Sequence, residues 1–430
     1  MLYWSRYNYC FSSSTHGVLL YNAISNSFWE IPETSRDFFL SLKSGDHFTL
    51  NDPLLILQLS TMKCLVSEHE DRELANIVRM KRRTLNYSGE SLSLTLAPTR
   101  GCNFACVYCY EKDRRPINMT DETARQLVEF VRGYKSIRSL GITWFGGEPL
   151  LAVGRIEQLT KEFLSLPIPN YYAEIITNGY LLTKEFAEKL GSLKIRRVQI
   201  TVDGPKDIHD RRRVLQNGNG TFDRILENIQ LLNDTGYNGV VALRVNTDPS
   251  NAATYADTFH FFEKRYPNLK LFIHPGMIHS DHEEDGCFFN TDEKVDFYIR
   301  QYRQYKLETI NFYPRHILHG CIATSKNGYV VGPEGELYKC WADIGNAREV
   351  VGHLADKRKW DMRKLGCWLE GQSALNDPKC IECSIMPICD GGCAKKRMER
   401  LLSGGKSDYC SFLKKHLAEF LEIAYELKKQ

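Results

Sequence analysis

The sequence contains no apolar run approaching the ~20 residues needed to cross a bilayer, so no membrane partner is expected. Its opening residues, Met1-Leu2-Tyr3-Trp4-Ser5-Arg6, lack the charged segment and apolar stretch of an export signal, and a cytoplasmic location is expected. An excess of either charge is also missing. The 56 Lys and Arg against 53 Asp and Glu leave a net charge of +3, which gives no support to a nucleic-acid footprint. Internal repeats and low-complexity tracts are absent, and the composition resembles neither disorder, collagen nor a coiled-coil rod. What remains is an ordinary globular chain of 430 residues, 43% hydrophobic, long enough for two or three domains of roughly 100–200 residues.

Cysteine is the exception, with 14 residues. In a reducing cytosol, clustered thiols are metal ligands or catalysts more often than a disulfide framework. Cys10, Cys64, Cys287 and Cys367 stand singly and read as small buried hydrophobes. The other ten form two groups: Cys102, Cys106 and Cys109, and then Cys321, Cys340, Cys380, Cys383, Cys389, Cys393 and Cys410.

The first ninety residues read as a small α+β unit. Val18–Tyr21 and Ser27–Ile31 suit a hairpin, Ser35–Lys43 and Pro53–Ser60 suit short helices, and Lys63–Val66 suits a strand. The basic stretch with Arg79, Lys81, Arg82 and Arg83 reads as a solvated linker. From residue 92, strands alternate with helices. Strands are expected at Leu92–Leu96, Leu140–Phe145, Ala173–Thr177, Val198–Val202, Val240–Asn246 and Lys270–His274, with helices near Arg155–Ser165, Thr183–Leu190, Phe222–Asn233 and Ala253–Lys264. Ala124, Leu127, Val128 and Val131 keep the i, i+3, i+4, i+7 spacing behind a Thr120 cap. Six βα repeats imply a partial or complete barrel, with function at the loops that follow the strands. Beyond about residue 310 the alternation stops, the chain becomes loop-rich, and it ends in an amphipathic helix carrying Leu413, Leu417, Phe420, Leu421, Ala424 and Leu427. Metal clusters could supply the cross-links that such a region lacks.

Cys102, Cys106 and Cys109 form a C-x3-C-x2-C triplet in the loop after Leu92–Leu96. A cubane 4Fe-4S cluster takes one cysteine per iron, so three thiolates leave one iron open; a zinc knuckle with a distant fourth ligand is the alternative. With Gly146-Gly147-Glu148-Pro149 after the second strand, Thr177-Asn178-Gly179 after the third, and Thr201-Val202-Asp203-Gly204-Pro205 with His209-Asp210-Arg211-Arg212-Arg213 after the fourth, the chain resembles the radical S-adenosylmethionine (SAM) superfamily. That resemblance implies an α/β fold: a partial (β/α)6 barrel at 91–310, preceded by a small α+β domain at 1–90. It implies that the three cysteines hold a 4Fe-4S cluster whose open iron is chelated by SAM. Glu148 would meet the methionyl ammonium, with Gly146 and Gly147 allowing close approach. Thr201 and Arg213 would contact the sugar or carboxylate, and Tyr108 would lie near the adenine. Arg244 and Asn246, at the end of the fifth strand, are open to an active-site or a structural role.

Cys321-x13-Gly335-x4-Cys340 and Cys380-x2-Cys383-x5-Cys389-x3-Cys393, with Cys410 beyond, resemble the SPASM domain, a loop-rich iron-sulfur extension expected at 311–430. By that pattern Cys380, Cys383, Cys389 and Cys410 hold one auxiliary 4Fe-4S cluster. Cys321, Cys340 and Cys393 hold another, whose fourth ligand is left open between solvent, substrate, Cys367 and His319. The resemblance implies three clusters, SAM, and an electron donor such as flavodoxin or ferredoxin.

Two activities fit. Sulfatase-maturing enzymes, which make formylglycine from Cys or Ser, carry an Asp base directly after the second cysteine of the first auxiliary group. Trp341 stands there, and Asp343 is a weak catalytic candidate two positions on. The preferred reading is a maturase that crosslinks side chains of a ribosomally made precursor peptide through a thioether, C-C or C-O bond, with residues 1–90 compatible with a PqqD-like domain that takes the leader as an added strand. A non-catalytic iron-sulfur or zinc scaffold is the reading from another class. His279, His282, Glu283, Glu284 and Asp285 read as a solvated loop, and His316 and His319 as local structure. The sequence names neither the substrate, the bond formed nor a general base.

Overall fold

A computed structural model describes residues 1–109, 111, 116–278, 288–404 and 409–429. Cys287 and the His279–Asp285 loop lie outside the described residues. The chain forms two compact units. One comprises Met1–Tyr87, Asn311–Lys326 and Gly366–Gln430; the other comprises Ser88–Ile310 and Asn327–Leu365. They cut across the expected division at about 90 and 310.

The first unit holds five short strands: β1 (Tyr3–Trp4), β2 (Asn8–Ser12), β3 (Val18–Asn22), β4 (Ser27–Ile31) and β5 (Leu65–Val66). The expected hairpin is β3 and β4, joined by β2 in an antiparallel sheet, while β1 pairs with β5. The stretch read as a linker is a helix, Glu70–Asn86, in which Ala75 and Arg82 are buried. Its acids, Glu70, Asp71 and Glu73, sit at the N-terminus and Arg83 at the C-terminus, an order that complements the helix dipole. Tyr7, Tyr21, Ile24 and Ala75 share one core with Ile385, Met386, Ile388, Leu417 and Leu421. Each such large side chain gains about 1.5–3 kcal/mol on full burial, and that shared core joins the first 87 residues to the C-terminal cysteine region. A second cluster holds Trp4, Leu20, Ile31, Phe39, Leu59 and Cys64. Cys64 is a buried thiol there and Cys10 packs on it half-buried, as expected of small hydrophobes.

The second unit is built on a nine-stranded sheet. Its strands are β6 (Ser91–Leu96), β7 (Ser139–Trp144), β8 (Asn170–Thr177), β9 (Ile195–Val202), β10 (Val240–Thr247), β11 (Lys270–Met277), β12 (Gly328–Val331), β13 (Glu336–Tyr338) and β14 (Gly352–His353). The order is β11-β10-β9-β8-β7-β6-β12-β13-β14, with β6 to β11 parallel throughout. β11 and β14 are the two edges, so the sheet stays open and the barrel is partial. β12 lies parallel to β6, and β13 and β14 follow antiparallel; the βα alternation ends near residue 310 as expected, but the sheet itself continues beyond it. The central strands alternate, as in β9, where Val198, Ile200 and Val202 are buried on one face and Arg197, Gln199 and Thr201 lie on the other, so one face is apolar and the other carries polar side chains. The helix Asp121–Arg132 has the predicted cap, Thr120 Oγ accepting from Thr123 N at 3.1 Å, and buries Ala124, Leu127, Val128 and Val131.

Candidate active site and auxiliary cysteine region

Cys102, Cys106 and Cys109 lie in the loop that leaves β6, all partly exposed. The loop is held from beneath by the segment after β7. Gly147 N donates to Thr99 O at 3.2 Å and Glu148 N to Gly101 O at 2.9 Å. A Cβ on Gly147 would stand 2.2 Å from Gly101 O, and one on Gly146, at φ +110°, 2.4 Å from Thr99 O. The close approach that these glycines permit is thus to the cysteine loop itself.

Glu148 is fully buried. Its carboxylate accepts from Thr177 Oγ1 (2.6 Å), Asn178 N (2.7 Å) and Leu150 N (2.9 Å). Burial pushes the carboxyl up and these three donors pull it down. Asn178 continues the chain of contacts, its Nδ2 donating to Asn103 Oδ1 at 2.8 Å and lying 4.0 Å from Cys102 Sγ. Phe104 N donates to the same sulfur at 3.4 Å. Burial pushes the Cys102 thiol up to about 12, and the neighbouring Glu148 and two other thiols add to it. Only a strongly cationic partner makes such a group a thiolate, and a bound metal does that outright.

The second support is a network around the Tyr108 hydroxyl. It donates to Asp203 Oδ1 at 2.9 Å and accepts from Arg213 Nη1 at 2.8 Å and Asn246 Nδ2 at 3.0 Å. Asp203 is fully buried and its other oxygen accepts from Arg212 Nε at 2.8 Å. Arg212 also pairs with Asp248 at 2.7 Å and lies over the Tyr108 ring at 5.1 Å. Asn246 Oδ1 accepts from Arg244 Nε at 2.8 Å, and Gly276 opposite leaves the space that Arg244 fills. Of the arginine run, Arg211 is exposed beside Asp207, whereas Arg212 and Arg213 are not. Thr201 is buried near the end of β9, paired in register with Arg244.

Three buried donors around this loop have no hydrogen-bond partner among the described residues: Asn103 Nδ2, Arg212 Nη2 and Arg213 Nε. Unpaired buried donors are costly and call for an acceptor. The carboxylate and sugar oxygens of SAM offer acceptors of that kind, and the thiols suit iron. Among the described residues no three of His, Cys, Asp and Glu gather as ligands of a single metal ion. A cubane, with one thiolate per iron, does not require that convergence.

Asp343 is buried in the turn Trp341–Asp343, its N–H bonded to Cys340 O at 3.1 Å; Trp341 is 42% exposed, its ring 5.6 Å from Phe145. Cys340 belongs to this unit and the other six auxiliary cysteines to the first.

In the first unit, Cys380, Cys383 and Cys389 are close enough for each charge to act on the next. Gly391 N donates to Cys389 Sγ at 3.3 Å and Arg397 Nη1 to Cys380 Sγ at 3.5 Å. Arg397 is buried, pairs with Asp377 at 3.0 Å and covers the Tyr409 ring at 4.4 Å. Tyr409 bonds Asp377 as well, which ties the chain at Cys410 to the helix Pro378–Ile381 that carries Cys380. Gly391 and Gly392 have φ of +93° and +81°, and a Cβ on Gly392 would overlap Tyr409 O. Cys393 lies close enough for its charge to act on Cys321, and each stands at the start of a helix. Cys367 opens the turn Cys367–Gly371 and His319 is exposed. His316 donates from Nε2 to Ala23 O at 2.9 Å, a structural bond, but to a residue 293 positions away and so not the local one expected. The network residues Asn103, Asp203 and Arg212 were not singled out in the sequence; an acid directly after a strand, nine positions before an arginine pair that closes the next helix, was the available signal.

Residues 96–262 match the family model described as Radical SAM superfamily. The chain is 25% identical over 380 residues to the cysteine-type anaerobic sulfatase-maturating enzyme of Clostridium novyi (strain NT), covering 79% of this chain and 98% of that enzyme. Among solved structures, anSMEcpe with bound AdoMet and Cp18Cys peptide aligns at 19% identity and a TM-score of 0.57, over 78% of this chain and 99% of that one. Streptococcus suis SuiB bound to precursor peptide SuiA aligns at 18% identity and a TM-score of 0.50, over 96% of this chain and 99% of that one.

Proposed function

Because the chain belongs to the radical SAM superfamily and is an enzyme of it, we propose that it modifies a ribosomally made precursor peptide, crosslinking side chains after removal of a hydrogen atom. The observation that carries this reading is the extent of the likeness to SuiB, whose structure holds a precursor peptide. A match over 96% of the chain leaves too few residues to omit Met1–Tyr87, whereas the match to anSMEcpe stops at 78%. Those 87 residues share a core with the auxiliary cysteine region. They form a sheet whose edge suits a peptide added as a strand.

In this reading a bound 4Fe-4S cluster and SAM would supply the radical chemistry that removes one substrate hydrogen atom; the second would leave as a proton, with its electron passing to an auxiliary cluster. Cys102, Cys106 and Cys109 hold that cluster. The glycines and Glu148 fix the loop from below, and Tyr108, Arg213, Asn246 and Arg212 fix it from the side. Asn103, Arg212 and Arg213 present their free donors to the SAM carboxylate or ribose, where a guanidinium can bond two oxygens in parallel. The remaining seven cysteines of the auxiliary group would hold two auxiliary clusters, and an external one-electron donor such as flavodoxin or ferredoxin would feed the first.

Formylglycine formation is the second reading, favoured by the length of the match to the Clostridium novyi enzyme. Against it stands the Trp341 position, where that chemistry would place its base, with Asp343 only 2% exposed. The decisive experiment is anaerobic turnover with SAM and reductant, measuring 5'-deoxyadenosine, together with mass spectrometry of short peptides coexpressed from neighbouring reading frames. The expected result is 5'-deoxyadenosine and a peptide lighter by two hydrogens per crosslink. A peptide left intact while a sulfatase-derived cysteine peptide becomes an aldehyde would replace this reading with the second.

A further inference from the structure

Arg82 stands outside every cysteine motif, on the helix Glu70–Asn86, yet it is only 4% exposed. Each nitrogen of its guanidinium is bonded. Nε donates to Ile317 O at 2.6 Å, Nη2 to Met386 O at 2.8 Å and Pro387 O at 3.0 Å, and Nη1 to Met386 Sδ at 3.8 Å. Met386 and Pro387 belong to the short loop between Cys383 and Cys389, so this cation forms part of the wall around those thiols. Its partners are all neutral, and among the described residues no carboxylate forms an ion pair with it. Burial weakens the guanidinium's hold on its proton, and the charges of Asp390 and Cys389 oppose that.

A buried charge without a counter-charge is expensive. Arg397, on the same set of thiols, is ion-paired with Asp377; among the described residues Arg82 is ion-paired with no carboxylate, and the charge of Asp390 acts on it without a direct contact. A cluster bearing four thiolates is net anionic, and its potential responds to charge and hydrogen bonding around it. We infer that Arg82 is the built-in counter-ion of the auxiliary cluster at Cys380, Cys383, Cys389 and Cys410, and that it raises that cluster's reduction potential from a helix of the N-terminal region. This rests on the auxiliary-cluster reading above. The physics is direct: reduction adds an electron, and a fixed cation in a poorly screened site stabilises the reduced form. Asp390, in the loop after Cys389, opposes it.

The test is an EPR-monitored redox titration of the full chain, purified and reconstituted without oxygen. Arg82→Met removes the charge and keeps much of the volume; Arg82→Lys keeps the charge and loses the carbonyl fork; Asp390→Asn removes the opposing charge. The expected result is a more negative midpoint for one auxiliary cluster in Arg82→Met, at least tenfold in the reduced-to-oxidised ratio, which is about 59 mV for one electron. Arg82→Lys should recover most of that shift, and Asp390→Asn should move the midpoint the opposite way. A purely structural Arg82 would lower stability and leave the midpoint in place. An unmoved midpoint in iron-replete Arg82→Met overturns the inference. Should that variant not fold, an unmoved midpoint in Asp390→Asn does so. Iron near four atoms per chain in the parent protein would instead overturn the auxiliary-cluster reading itself, and iron analysis tells the two failures apart.

Discussion

The chain houses thiols in two regions, and the housings differ. Around Cys102, Cys106 and Cys109 the polar groups form a network with gaps: Asn103 Nδ2, Arg212 Nη2 and Arg213 Nε are buried without partners among the described residues. Around Cys380, Cys383 and Cys389 the arginines are saturated. Arg82 bonds three carbonyls and Arg397 bonds Asp377, Cys380, Gln372 and Gly391. An unpaired buried donor costs about 1–3 kcal/mol, so the gaps of the first region are places where a ligand's acceptors would stabilise the protein, in line with the proposed SAM site. Gaps also occur elsewhere, as at Arg79 Nε and Trp368 Nε1 in the unit that carries the second region, so the contrast rests on the two arginines nearest each set of thiols.

The largest effect that sharpens this contrast comes from emptying one region. Replacing Cys102, Cys106 and Cys109 together by Ala should abolish 5'-deoxyadenosine formation while leaving about 8 of an expected 12 irons per chain. Activity assay and iron analysis of the same preparation check it. Loss of all iron would break the contrast, since the second region would then depend on the first for its clusters.

A smaller effect is expected from Tyr108→Phe. The ring keeps its place under Arg212, but Asp203, Arg213 and Asn246 each lose a partner on the hydroxyl. A cost of about 1–3 kcal/mol, delivered at a group that orients Arg213, should weaken SAM binding roughly tenfold without changing iron content. Calorimetric titration of SAM into the reconstituted variant checks it. Unaltered affinity would mean that Arg213 is positioned by its backbone and by Phe104 rather than by the hydroxyl.

What the sequence disclosed divides along the same line. The cysteine triplet, the Gly146-Gly147-Glu148-Pro149 turn and the six parallel strands are local patterns, and the structure has strands at each of the six positions. Housing is not local. Ile317 and Pro387, which hold Arg82, lie 235 and 305 residues away in the chain, so a run of Lys and Arg read as a solvated linker. β12 pairs with β6 across more than two hundred residues, which is why regular structure continued where periodicity had ended. Glycine pairs announced a close approach but not its partner; that partner proved to be the cysteine loop. Asp203 and Arg212 were visible as letters of a motif, but their burial together depends on the packing of three strand ends.

The smallest expected effect concerns His209, a fully buried ring under the first region. Asp203 N donates to its Nδ1 at 3.3 Å, so Nε2 carries the proton and donates to Thr221 Oγ1 at 3.0 Å; Thr221 in turn donates to Arg213 O at 2.6 Å. This relay fixes the backbone that carries Arg213, and it needs the neutral ring. Burial, then the charges of Arg213 and Arg212, hold the imidazole well below its usual value. A depressed histidine contributes stability that is present above the unfolded value near 6.5 and is lost as pH falls below it, because the unfolded chain then binds a proton that the folded one refuses. Between pH 8 and pH 6 that loss amounts to about 1 kcal/mol. His209→Gln, which can accept at one end and donate at the other, should flatten this part of the pH dependence of the anaerobic urea midpoint while leaving SAM affinity near that of the parent. If the variant keeps the parent's slope, the ring is not the group that titrates, and the gaps in the first region must then be held open by Asp203 and Tyr108 alone.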